Sequence, residues 1–145
     1  MEPTQNQVVF EFKLTAVELL EFSLTFNERL ITDLKLFHYN INIEHRIVEE
    51  SKLVMVIMHV SVLHEDQESI LATVKASCVY EVTNIEEIIK KQGNNLSILE
   101  GASTIVNSIT ISTVRGIMFS LFRGTILHNA ILPVIEPKSL IPNPH

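Results

Sequence analysis

Cysteine occurs once, at Cys78, tryptophan is absent, and the 145 residues include only four glycines. A lone cysteine closes no disulfide within the chain, so no covalent staple is available and a reducing compartment is expected. So few glycines build no glycine-rich phosphate loop, and no GxSxG nucleophile elbow occurs. Basic residues number 11 against 17 acidic ones, a formal charge of -6. That balance leaves no basic stripe for nucleic acid and disfavours docking on anionic membranes. The longest apolar run, Leu53 to Leu63, is too short to span a bilayer. No basic start followed by an apolar core marks an export signal, so a cytoplasmic location is expected.

Catalytic chemistry is equally scarce. The six histidines are scattered without an HExxH motif, so neither a metal site nor a cofactor is expected. Cys78 alternates onto the apolar face of its segment and reads as a small buried residue rather than a nucleophile. The acid pairs Glu49-Glu50 and Glu86-Glu87 are adjacent residues, whose side chains diverge, and read as solvated turns. No catalytic residue is assigned, and the chain does not read as an enzyme.

What the sequence has in quantity is grease, at 46% hydrophobic residues. Such a load excludes disorder and raises the odds of self-association or an apolar binding surface. The length suits a single domain, residues 1–145, with residues 1–7 and 138–145 expected as flexible ends. Val8, Phe10, Phe12 and Leu14, then Leu20, Phe22, Leu24 and Phe26, alternate with polar neighbours. They predict one long bent strand, or two collinear ones with a bulge near Ala16–Glu18. Phe37 to Ile47 alternates cleanly, with one dry and one wet face. Leu53 to Leu63 carries Val54, Val56, Met58, Val60 and Val62 on one side and Leu53, Met55 and Ile57 on the other. Such a strand is central beneath two layers or pressed against another subunit. His64 to Ser69 is a polar connection, and Ile70 to Thr83 a half-exposed strand.

The period changes after Thr83. Asn84 is a candidate N-cap for a short helix, with Glu86 and Glu87 at its start and Lys90 and Lys91 before Gly93. Ser97 to Glu100 has the capping-box pattern that opens a long helix. Its apolar residues recur at threes and fours up to Leu121, although its β-branched content favours strand locally. Gly124 ends it, and Pro133, Pro137, Pro142 and Pro144 forbid a long terminal helix. Between them, Ile126 to Ile135 is far more apolar than a loop should be. The fold class read from this order is α+β: a four-stranded antiparallel sheet with a long helix and a short one on one face.

Arg123-Gly124-Thr125, with Leu132-Pro133-Val134 or its neighbourhood following after Ile126 to Ile131, resembles the carboxyl-terminal signature of the SecB protein-export chaperone family. Ile70 to Ile85 also lies on that family's last strand without gaps, and Phe22 falls at the aromatic position of its first. The resemblance runs from about Phe10 to Val134. It implies an ATP-independent holdase for unfolded polypeptide clients, assembled as a homo-oligomer, a dimer of dimers. On that reading Tyr80, Phe119, Phe122, Ile126, Leu127 and Ile131 are client-binding, and Leu53, Met55 and Ile57 lie with the long helix at subunit interfaces. The chain also departs from the family. Ile126-Leu127 replaces a Phe-Pro pair, the acidic tail is missing, and the acidic positions that meet the export motor SecA fall on Ser23 and Thr73. SecA is therefore not expected as a partner. A role as dedicated guard of one client, such as an antitoxin, fits the likeness as well as export does. The residues alone leave two other classes open, a small hydrophobic-ligand carrier and a purely structural oligomer.

Overall fold

The computed structural model describes residues 9–25 and 36–140. Val8, Phe26 and residues 1–7 and 141–145, named in the expectations above, lie outside the described residues. The first four elements are strands: β1 (Phe12–Leu24), β2 (His38–Val48), β3 (Leu53–Leu63) and β4 (Ile70–Val82). They form one antiparallel sheet in the order β1-β4-β3-β2, so β1 and β2 are its edges. The chain continues through α1 (Ile85–Ile88), the hairpin strands β5 (Ile89–Gln92) and β6 (Asn95–Ile98), and the long helix α2 (Glu100–Phe122). α2 packs chiefly over β3 and β4, on the same face as Tyr80.

The doubly apolar segment is β3, an inner strand flanked on both sides. Val54, Val56, Met58, Val60 and Val62 lie wholly inside, beneath Val106, Val114 and Met118 of α2. α2 stays helical despite its threonines and isoleucines. Thr104 and Thr113 turn their hydroxyls back on the carbonyls of Glu100 and Ile109, and packing supplies what propensity withholds. Tyr80 reaches the helix directly, its hydroxyl 3.2 Å from the Val106 carbonyl and 2.9 Å from the Thr110 hydroxyl.

Two local expectations fail. Lys90 and Lys91 belong to β5, where Lys91 pairs with Leu96, and not to a helix end. The short helix is one turn long, and Asn84 makes no cap. Its side chain instead bonds Glu11 N, Val9 O and Glu87, tying the start of β1 to the end of β4. Ser97 likewise lies in β6, and α2 starts at Glu100 behind Leu99 with no side-chain cap. In both places a hairpin's tertiary contacts override the local capping pattern.

Candidate functional site

Of the two alternatives, β1 is a single strand, with two irregularities on either side of Ala16–Glu18 in place of one bulge within it. The register slips at Thr15, between Leu14 and Ala16, and again at Leu20, between Leu19 and Glu21. Each extra residue turns the strand's parity by one, so the second restores what the first reversed. Cross-strand partners share a face, and Leu14, Val17, Leu19, Phe22 and Leu24 stand opposite Tyr80, Cys78, Ala76, Val74 and Ala72. All five therefore face the helix side. Yet α2 lies over the inner strands, and these residues remain 38–45% exposed. They form a continuous apolar strip along an edge strand, and the Phe22 ring lies 6.4 Å from that of Phe122 on the helix.

The other apolar feature is the segment after α2. Gly124, at φ 77°, turns the chain out of the helix in a conformation that favours glycine. Thr125 caps the end, its hydroxyl donating to Phe122 O at 2.7 Å and accepting from Leu127 N at 3.1 Å. From there the backbone runs as a strap without regular secondary structure up to a 3-10 turn at Pro137–Ser139. Its carbonyls are met by side chains: Tyr39 Oη donates to Ile131 O at 3.0 Å, and Arg115 donates to Leu132 O and Pro133 O, both at 2.8 Å. Leu127, Ala130 and Leu132 point inward and are buried, whereas Ile131 and Val134 point out. The strap is apolar because half of it completes the core.

This placement divides the six residues expected to touch a client. Phe119 and Ile131 are exposed, at 46% and 54%, and Ile126 is half-buried. Tyr80, Phe122 and Leu127 are buried core residues. The division has one cause: the strap and the last turn of α2 close over the sheet instead of standing away from it. Leu53 and Met55 are half-buried on the helix-free face of β3, while Ile57 is already buried there between Glu44 and Ser77. Ile57 thus needs no second subunit to hide it.

The residues that sequence reasoning passed over are Leu14, Val17, Leu19 and Leu24. Leu14 and Leu24 belong to the even-numbered alternation, whereas Val17 and Leu19 fall outside it and reach the same face only because the register slips twice.

The polar groups nearby offer little chemistry. His45 of β2 shares a hydrogen bond of 2.7 Å with Asn107 of α2, and burial pushes its pKa down while that bond opposes the shift. His59 Nε2, on the opposite face, is buried without a partner among the described residues. No group of three or more His, Cys, Asp or Glu side chains converges on a common point among the described residues. On the helix-free face, Ser23 and Thr73 stand opposite one another with their hydroxyls in hydrogen-bond contact.

No protein-family model matches the chain. No curated protein matches it either. A solved structure does: the Mycobacterium tuberculosis SecB-like chaperone Rv1957 in complex with a ChAD peptide from the HigA1 antitoxin Rv1956. The two superpose with a TM-score of 0.51 over 86% of this chain and 84% of that one, at 11% identity. With its four-stranded antiparallel sheet and long overlying helix, this chain has the fold of a SecB-like chaperone.

Proposed function

We propose that this protein is an ATP-independent holdase of the cytoplasm that captures apolar segments of non-native polypeptides. The observation that carries the reading is the uncovered strip Leu14, Val17, Leu19, Phe22 and Leu24. An apolar row of this kind on an edge strand is an aggregation hazard unless something is meant to lie on it. Among the described residues the outer edge of β1 has no neighbour in the sheet, so a client adds backbone hydrogen bonds there while its side chains meet the strip. Backbone pairing ignores client sequence, and each buried client side chain contributes about 1.5–3 kcal/mol, so a few weak contacts hold an unfolded chain. Ile131 and Val134, exposed on the strap, extend the apolar surface.

A solved protein of this fold holds an antitoxin peptide, which supports the narrower role of guarding one dedicated client, such as an antitoxin. Assembly as a homo-oligomer, a dimer of dimers, belongs to the same proposal, with Leu53 and Met55 among the surfaces it would cover. The test is suppression of aggregation of a reduced, unfolded protein without nucleotide. Leu19→Asp and Phe22→Asp alter exposed positions, so both variants should fold and lose the activity. Full suppression by both folded variants would remove the strip from the mechanism.

A further inference from the structure

The face of the sheet turned away from α2 is crossed by a row of unlike polar side chains. Asn42 of β2 stands opposite His59 of β3, His59 opposite Lys75 of β4, and Lys75 opposite Glu21 of β1. Cross-strand partners share a face with about 5 Å between their Cβ atoms, so these groups are immediate neighbours. A hollow of about 300 Å³ opens there between Asn42, Glu44, Ile57, His59 and Lys75.

Two groups in the row lack what their chemistry calls for. Lys75 lies half-buried on an inner strand. An ammonium has three donors and no acceptor, and drawing it partly out of water is costly without a counter-charge. Glu21 is its cross-strand neighbour, yet among the described residues no ion pair reaches the Lys75 side chain. His59 is the second case, since its Nε2 is shut off from solvent with no hydrogen-bond partner among the described residues. A ring nitrogen in that condition costs free energy until it meets a partner. The last side-chain torsion of histidine is broad, so the ring can turn Nε2 toward the hollow that it lines.

We propose that this hollow binds a singly charged carboxylate, held by Lys75 Nζ, the N–H of His59 Nε2 and the Asn42 side-chain amide. All three are donors, they come from three adjacent strands, and the two inner strands are fixed by neighbours on both sides. Bonds from such donors to an ionised carboxylate are the strong kind. A metal cation does not suit the hollow, because Lys75 repels it and the Glu44 carboxylate is ion-paired with Arg46 at 2.7 Å. A multiply charged phosphate suits it poorly, since Glu21 beside Lys75 leaves the row little net positive charge. A small organic acid and an acidic side chain of another protein present the same two oxygens. The site lies on the face opposite the β1 strip and α2, so it depends neither on client capture nor on self-association.

The test follows the imidazole nitrogens of the full chain by NMR as sodium acetate is added, against sodium chloride at equal ionic strength. His59→Gln identifies the signal. His59 should shift saturably with acetate and not with chloride. Lys75→Met keeps the length of the side chain and should weaken half-saturation about tenfold or more, as loss of a hydrogen bond from a charged group does. Lys13→Met removes the same charge from the same face, about 20 Å away along the strands, and should change nothing. A blocked peptide whose only charge is one aspartate distinguishes the sources. Binding at least as tight as that of acetate assigns the site to an acidic side chain, and binding of acetate alone assigns it to a small acid; both uphold the carboxylate site. No saturable shift of His59 in the parent protein overturns the proposal, whether or not the variants fold. Equal weakening by Lys13→Met and Lys75→Met overturns it too, as does tighter binding of inorganic phosphate than of acetate.

Discussion

Leu127 and Ile131 sit four residues apart on the strap, and both looked like client contacts, yet the structure predicts opposite consequences for them. Leu127 is 0% exposed within the main core cluster, and Ile131 is 54% exposed, its backbone held by Tyr39 at the carbonyl and by Asn129 O at the N–H. Truncating a fully buried leucine removes its transfer energy and leaves a cavity, together about 2–5 kcal/mol. For a chain of this length a loss of about 3 kcal/mol lowers the melting temperature by about 6–12 °C. Removing the outward Ile131 side chain should change stability by about 0.5 kcal/mol or less. The measurement is urea and thermal unfolding of Leu127→Ala and Ile131→Ala beside the parent, with aggregation suppression assayed well below each midpoint. Leu127→Ala should unfold early yet retain capture while folded, and Ile131→Ala should unfold normally with weaker capture. If Leu127→Ala proves as stable as the parent, the strap does not seal the core and the reasoning fails at its first step.

Two further outcomes follow from polar groups. His45 has its pKa pushed down by burial, with the Asn107 hydrogen bond opposing, so it folds in the neutral form. The unfolded chain then binds the extra proton first. This contribution is present above the ordinary histidine range, near 6.5, and is lost as pH falls through and below it. Urea midpoints between pH 8 and 5 should show that slope, and His45→Gln should flatten it; an unchanged slope would place the titration elsewhere. For SecA, the hydrogen-bonded Ser23–Thr73 pair leaves no carboxylate at the two matched positions, with Lys75 and Glu21 paired alongside. Titration at low salt should therefore show little or no SecA binding, and micromolar binding that weakens with added salt would restore the export role.

Periodicity carried most of the fold. Strands β2, β3 and β4 and helix α2 are legible because alternation and the three-four recurrence report which side of each segment is dry. β3, with grease on both sides, read as a strand covered on both faces; the structure makes it an inner strand with α2 over one face, while Leu53 and Met55 on the other stay half-buried. The ends of elements were less legible. Asn84 and Ser97 have the chemistry of helix caps, but β5–β6 took up the chain between them, and local capping is worth less than the packing that displaced it.

Coverage was the part that only tertiary structure decided. Leu19, Val56 and Leu127 are all apolar residues in apolar patterns, and nothing local tells the three apart. Their fates differ because α2 centres on β3 and β4, which among the described residues leaves β1 bare, and because Tyr39 and Arg115 hold the strap down by its carbonyls. A sequence records which residues avoid water. Which of them run short of partners depends on where a helix and a strap, distant in the chain, come to rest.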